Sequence, residues 1–368
     1  MKYSDITKLK HLAQDKISRS ANPAVVRNST VFFKNMQELI KQENLVKKGS
    51  KVDFYEYGRA GSQTTIALQN FISDLEGAHR TFLTSTGFGA VALAILSICR
   101  PKDEIIVTDA VYAPTRMITS KLLKEFNVKT HFYNPESLES LQSKINKKTK
   151  MIFVENPGSN TFEFQDLSKI IKIAKKRKII TAIDNTWGTP FFIKPLKIGF
   201  DMSISSGTKY LSGHSDVMLG SLAVNKKVFE KVKFCNKLLG YRASPDDAYL
   251  VLRGLRTLDV RLKKHEETTK KIVNFLKTQK KINEILYPYK KGTENYENWK
   301  KYYSGSTGLF SVIIRSKNRN SIYKFINSLR LFGIGQSWGG FESLVLYQSH
   351  VIQRVYKKYI KPNHHIVR

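Results

Sequence analysis

The chain has 368 residues, with 62 Lys+Arg against 30 Asp+Glu, a formal charge of +32, 41% apolar residues and 25% charged residues. That mixture excludes a disordered tail and a membrane protein, and the length is enough for a large core and about two domains. The excess charge points first to an anionic polymer or surface, but 46 of the basic residues are Lys, scattered from Lys2 to Lys361, and only 16 are Arg. Bidentate recognition of bases and phosphates favours Arg, so no specific nucleic-acid partner is expected.

In chain order, residues 1–55 show no strong period and read as an N-terminal arm, packed on the main domain or on another subunit. The N-terminal MKYSDITKLKHLAQDKIS holds no 7 to 15 residue apolar stretch of the kind a secretory signal needs. Gln63 to Leu75 reads as a helix. Apolar, β-branched runs then recur with helices between them, which is the rhythm of a parallel sheet with crossover helices. The predicted strands are Thr81 to Thr84, Glu104 to Val107, Met151 to Val154, Ile179 to Ile183, Met202 to Ser205 and Gly220 to Val224. Most lack polar alternation, as strands buried on both faces do. Gly87 to Cys99 and Leu167 to Lys178 read as helices, and Thr115 to Phe126 more weakly so. No apolar run approaches the ~20 residues of a membrane span.

The pattern changes near residue 245. Pro245 to Lys280 carries a long charged helix signal, and Gly308 to Ile314, a helix over Ser321 to Leu329, and Glu342 to Gln348 form an α+β unit. The expected domains are therefore 56–245 and 246–368, after the 1–55 arm. Cys99 and Cys235 alone make neither a disulfide framework nor a four-ligand zinc site, and fit a reducing, cytoplasmic compartment.

Three segments carry chemistry. In Ser203-Ile-Ser-Ser-Gly-Thr-Lys-Tyr-Leu-Ser-Gly-His-Ser-Asp216, Lys209 follows a strand amid small and hydroxyl residues. A desolvated amine with few competing charges is a Schiff-base nucleophile, and Ser206 and Thr208 place hydroxyls beside it that suit a phosphate. Standing alone, the segment reads more readily as a turn between two strands with one exposed Lys. Asp184 ends the strand in Ala182-Ile-Asp-Asn-Thr-Trp187, where ligands of α/β sheets collect; alone, such an Asp is more often a helix cap. Thr84-Ser-Thr-Gly-Phe-Gly89 opens a helix directly after a strand, which exposes amides to an anion. Together the three supply an amine for an aldehyde, an acid for a pyridine nitrogen and a cradle for a phosphate, the three needs of pyridoxal phosphate.

With Tyr57-Gly-Arg59, Ala110-Val-Tyr-Ala-Pro114, Glu155-Asn-Pro-Gly-Ser159 and Ser337-Trp-Gly-Gly-Phe-Glu-Ser343, the chain resembles the Cys/Met-metabolism family of pyridoxal-phosphate enzymes from about residue 50 to its end. The resemblance implies an α/β fold of the type I pyridoxal-phosphate transferase kind: a mostly parallel sheet flanked by helices, with a smaller α+β C-terminal domain. It implies Lys209 as the cofactor-binding lysine and the base at the substrate Cα, Asp184 on the ring nitrogen and Tyr112 stacked on the ring. Gly87, Phe88, Ser206 and Thr208 would hold the phosphate. Tyr57 and Arg59 would complete the neighbouring subunit's site in a homotetramer built as a dimer of dimers. Arg368, Ser337, Trp338 and Tyr57 would meet an amino-acid substrate, and no metal is implied.

The γ-type members of the family read Pro-Thr-Asn-Pro and Ser-Leu-Gly-Gly where this chain has Pro157-Gly-Ser-Asn160 and Ser337-Trp-Gly-Gly340. Both differences resemble bacterial cystathionine β-lyases. The expected reaction is a carbon-sulfur β-elimination that splits cystathionine into homocysteine, pyruvate and ammonia in methionine biosynthesis. Other cysteine S-conjugates are further expected substrates, and Lys209 or Tyr112 is the expected acid at the departing sulfur. The alternatives are a γ-lyase or γ-synthase, and, in another class, an inactive homologue or a basic nucleic-acid-binding protein. His214, His364 and His365 are read as structural. Family members continue past the position of Arg368 with a strand and a helix, so the second domain is expected to be truncated and its last segment to fray.

Overall fold

The computed structural model describes residues 4–13, 20–50, 52, 54–356, 359 and 361–368. Its centre is a seven-stranded sheet: β1 (Arg80–Thr84), β2 (Glu104–Thr108), β3 (Lys129–Tyr133), β4 (Thr149–Glu155), β5 (Ile180–Asp184), β6 (Met202–Ser206) and β7 (Gly220–Val224). The spatial order is β1-β7-β6-β5-β4-β2-β3. Strands β2 to β6 run parallel, and β7 is antiparallel to both of its neighbours, β1 and β6.

Burial on both faces explains the unbroken apolar runs. Ile152 and Val154 of β4 enter one core with Ile106, Ile183 and the helix Gln63–Glu76, which contributes Leu68, Phe71, Ile72 and Leu75. Met151 and Phe153 point the other way, into a core with Ile105, Val107, Ala182, Met202 and Leu222. That second face is closed by Ala90, Val91, Leu93 and Ile95 of the helix Gly87–Ile98 and by Val228 and Val232 of the helix Lys226–Leu239. Each fully buried Leu, Ile or Phe contributes about 1.5–3 kcal/mol of transfer free energy.

A second, antiparallel sheet of three strands lies in the C-terminal third, with β8 (Ile282–Leu286), β9 (Ser311–Arg315) and β10 (His364–Val367) in the order β10-β9-β8. The long helix expected over Pro245 to Lys280 is two helices, Pro245–Leu255 and Leu258–Leu276, because the chain turns at Arg256 and Thr257. The helix expected over Thr115 to Phe126 is interrupted by a wider turn at Ile118–Leu122. Glu342 to Gln348 forms isolated bridges, Gly333 with Leu344 and Tyr347 with Val367, in place of a strand.

The expected fraying of the last segment is also corrected. β10 pairs with β9, and the Arg368 amide and carbonyl both pair with Leu346 at 2.9 Å. The N-terminal arm includes the helices Asp5–His11 and Met36–Lys47. It packs on this same chain: the Val26 amide donates to Thr64 Oγ1 at 2.8 Å, and Lys10 pairs with Asp259 at 2.7 Å. No helix of the described residues is long and apolar enough to cross a membrane. Both Cys99 and Cys235 are buried free thiols, and burial pushes the Cys99 thiol up to about 12.

Candidate active site

The carboxyl ends of β4, β5 and β6 deliver Glu155, Asp184 and Ser206 to one edge of the sheet, where open α/β sheets collect ligands. Lys209 follows β6 in the turn Gly207–Leu211, with φ −91° and ψ −126°, outside the helical region. Its Nζ donates to Ser337 Oγ at 2.6 Å and lies 5.5 Å from the Trp338 ring centroid. Burial, reinforced by the Arg368 guanidinium and opposed by Glu342, lowers the amine to about 8. Near pH 7 about a tenth of the amine is therefore uncharged, far more than of an ordinary lysine.

The segment that meets Lys209 is itself held in an unusual conformation. Ser337 has φ +91°, rare for a residue with a Cβ, and Arg368 Nη2 donates to its carbonyl at 3.2 Å. At Gly339, φ +88°, an added Cβ would lie 3.0 Å from the Tyr210 amide and 3.3 Å from Lys209 Cα, so only glycine lets this turn press on the lysine. Trp338 packs on Tyr210, ring centroids 5.4 Å apart. Glu342 accepts from Ser215 Oγ at 2.7 Å and joins the same turn to the far end of the lysine segment.

Asp184 is held by the Thr186 amide, 2.9 Å from Oδ1, and burial raises its pKa. Its register partner on β4 is Glu155. Burial and the Asp184 charge raise Glu155 well above the usual carboxyl range, which favours its protonated form. Glu155 Oε2 accepts from the Tyr112 amide at 2.6 Å and so fixes the start of the helix Ala113–Met117. The Tyr112 ring stays exposed, within electrostatic reach of Glu155, Asp184 and Arg368.

A phosphate fits beside them. Thr86 caps the helix Gly87–Ile98 by accepting from Gly89 at 3.0 Å, which leaves the Gly87 and Phe88 amides as first-turn donors. A Cβ on Gly87 would lie 2.6 Å from Ser206 Oγ, so the glycine keeps the space between the helix start and that hydroxyl open. Ser206 is set by its own amide, which donates to Thr186 Oγ1 at 3.0 Å. Thr208 departs from this pattern: its hydroxyl accepts from the Leu219 amide at 3.0 Å and donates to the Leu219 carbonyl at 3.3 Å.

Lys209, Asp184, Tyr112, Ser337, Trp338 and Arg368 thus share one region, with Gly87, Phe88 and Ser206 at its edge. Tyr57 and Arg59 lie instead on an exposed turn by the arm, where Tyr57 bridges Thr30 and the Gly58 amide donates to Ser29 at 2.7 Å. The histidines stand apart: His214 Nδ1 is 2.6 Å from the Ser212 carbonyl, and His365 faces Ser316 and Tyr347. Among the described residues no His, Cys, Asp or Glu cluster could hold a metal.

Asp109 and Arg354 carried no sequence signal. Arg354 reaches the carbonyls of Asp109 and Ser159 and the Thr161 hydroxyl, while the Asp109 carboxylate accepts from Arg116 and from the Val355 and Tyr356 amides. This clasp ties the loops that carry Tyr112 and Ser159 to the C-terminal part of the chain.

The sequence profile of the Cys/Met metabolism PLP-dependent enzymes matches residues 7–365. A cystathionine beta-lyase of Haemophilus influenzae is 34% identical over 89% of this chain and 82% of its own length. An L-alanine/L-glutamate racemase of Wolbachia pipientis is 32% identical over 89% of this chain and 82% of its own. The solved structure of a cystathionine gamma synthase from Xanthomonas oryzae in complex with aminoacrylate and cysteine superposes with a TM-score of 0.90 at 26% identity, covering 100% of this chain and 94% of the other.

Proposed function

This chain belongs to the Cys/Met metabolism family of pyridoxal-phosphate-dependent enzymes, and on that premise we propose that it is a carbon-sulfur β-lyase of the cystathionine type. The observation that carries the reading is Lys209: a depressed amine held at 2.6 Å by Ser337 and covered by Trp338, in the same region as Asp184 and Arg368. Trp338 stands where the resemblance usually places Leu in γ-type members, and the H. influenzae relative is named a cystathionine beta-lyase.

Bound pyridoxal phosphate supplies an aldehyde that captures amines and a protonated ring that draws electrons from the substrate Cα. This chain's residues do the rest. Gly87, Phe88 and Ser206 would bind the phosphate, Thr208 would join them by turning its hydroxyl away from Leu219, and Asp184 would hold the proton on the ring nitrogen. Tyr112 would cover the ring, and Arg368 would grip the substrate carboxylate as it grips the Ser337 carbonyl. Lys209 Nζ would take the Cα proton once the substrate amine has replaced it. Lys209 or the Tyr112 hydroxyl would then give a proton to the sulfur leaving Cβ. Trp338 and Tyr210 would keep water from the amine. With cystathionine as substrate, the carbon-sulfur bond at Cβ breaks, the sulfur leaves as homocysteine, and hydrolysis of the remaining three-carbon part gives pyruvate and ammonia.

Tyr57 and Arg59 would reach a neighbouring subunit's phosphate, in line with their place on an exposed turn. The purified protein is expected to show the visible band of a lysine-bound cofactor and to release pyruvate from cystathionine, and Lys209→Ala to be colourless. An equally active Lys209→Ala protein would refute the assignment. A second reading, γ-elimination to 2-oxobutyrate, rests on the likeness to the γ-synthase structure. Exchange of the Cα hydrogen with solvent without sulfur release is the outcome expected of a racemase, as the Wolbachia relative is named.

A further inference from the structure

We infer that Arg261 is a positioning residue for Lys209, its guanidinium pinning the carbonyls of the turn from which the amine projects. The inference rests on the reading of Lys209 as the cofactor-binding lysine and extends it to a residue of the helix Leu258–Leu276, outside the motifs that define the site.

The turn Gly207–Leu211 cannot complete a helical hydrogen-bond ladder, because Lys209 itself is non-helical. Its carbonyls therefore need other partners. Two are met locally: the Ser212 hydroxyl lies 3.2 Å from the Thr208 carbonyl and 3.3 Å from that of Lys209, which also accepts from the Gly213 amide at 2.9 Å. The next two are met by Arg261, whose Nη1 donates to the Tyr210 carbonyl at 2.7 Å while Nη2 lies 3.5 Å from that of Leu211. Nη2 also donates to the Gly254 carbonyl at 2.7 Å, and Nε donates to Thr257 Oγ1 at 3.1 Å. One planar group thus joins the lysine turn to the end of one helix and the start of the next, a fork geometry that Lys does not reproduce.

The surrounding chain is shaped to admit it. A Cβ on Gly213, at φ +72°, would lie 2.0 Å from Arg261 Nη1, and a Cβ on Gly254 would lie 2.2 Å from the Ser212 carbonyl. The four acceptors are neutral, and burial lowers the guanidinium to about 10, with Asp259 as the opposing acidic influence. A buried cation among neutral acceptors is a poor device for stability alone. Here it determines where the residues after Lys209 lie. The charged groups facing the amine are Arg368, after β10, and Glu342, from the turn after Trp338, and both act at a distance set by that placement.

The test uses the full chain and three variants, Arg261→Ala, Arg261→Lys and Arg261→Gln. Cofactor-free protein is mixed with pyridoxal phosphate across a pH series, and the appearance of the visible lysine-bound band is followed, with thermal unfolding and kcat and KM alongside. For Arg261→Ala the midpoint of capture is expected to rise from about 8 toward the ordinary lysine range, as the loosened amine becomes solvated. Its kcat should fall at least about tenfold with KM changed less than about threefold, because misplacement of a reacting group acts mainly on the chemical step. Arg261→Lys and Arg261→Gln restore part of the donor set and should lie between. A folded Arg261→Ala protein with an unchanged midpoint and kcat would overturn the proposal. If that variant does not fold, unchanged profiles in Arg261→Lys and Arg261→Gln would overturn it equally. Failure of the parent reading is distinguishable, since the wild-type chain would then show no visible band at any pH.

Discussion

Lys209 and Ser337 are 128 residues apart in the chain, yet Lys209 Nζ donates to Ser337 Oγ at 2.6 Å. Ser337 adopts φ +91° to make this contact, and Arg368 secures its carbonyl. The hydroxyl would hold the amine whenever it is free of cofactor, including after substrate has replaced it. Ser337→Ala is expected to slow turnover at least about tenfold, the low end of what one hydrogen bond to a charged group is worth. Ser337→Thr should retain much more of the rate. Steady-state kinetics on both variants checks this, and equal losses would remove the hydroxyl from the account.

Burial and Arg368 lower Lys209 to about 8, against the weaker opposing pull of Glu342. The uncharged amine is the form that attacks an aldehyde, so capture of pyridoxal phosphate by the cofactor-free protein should accelerate as pH rises through about 8 and then level off. Glu342→Gln removes the opposing carboxylate and should move that midpoint down. An upward shift would contradict the electrostatics described.

Asp184 and Glu155 are register partners, yet opposite responses are expected of them. Burial and the Asp184 charge raise Glu155 well above the usual carboxyl range, which favours its protonated form, and Glu155→Gln keeps an acceptor for the Tyr112 amide. Asp184→Asn removes the charge that would hold the ring-nitrogen proton. It is expected to cost more than about 100-fold in kcat, whereas Glu155→Gln should stay within about threefold. Equal damage from the two would mean that the charge of the pair is assigned to the wrong partner.

Glu76 sits at the end of the helix Gln63–Glu76, fully buried, with one oxygen accepting from Ser203 at 2.8 Å and the other unpaired. Burial raises it from 4.5 to about 7. The folded state therefore binds this proton more tightly than the unfolded state does. The stabilisation is fully present below about pH 4.5 and is lost as pH rises to about 7. At pH 8 the buried charge costs about 3 kcal/mol. Glu76→Gln should raise the unfolding midpoint at pH 8 and change it little at pH 4.5. Chemical denaturation at the two pH values separates these outcomes, and an equal effect at both would show that the charge is not the cause.

The predicted strands of the large sheet correspond to β1, β2 and β4 to β7 within two residues, because strands covered on both faces leave an unbroken apolar signature. β3 was not legible: Lys-Thr-His-Phe-Tyr is an edge strand, only partly buried, and takes its conformation from pairing with β2. β8 and β10 are short and mixed in character for the same reason. Lys209, Asp184 and the Gly87 turn could be read from local sequence, since each lies at or within a few residues of the carboxyl end of a buried strand. Arg261, Asp109 and Arg354 could not, since their partners are carbonyls and amides as much as 247 residues away that no local pattern records. The anchoring of Arg368 on Leu346 is likewise a long-range pairing.

The keto acid released from cystathionine by the purified, cofactor-loaded chain is the most direct test. Pyruvate, formed in step with homocysteine and abolished by Lys209→Ala, is the predicted product. Formation of 2-oxobutyrate with cysteine would contradict β-elimination and assign the chain to the γ-type reaction.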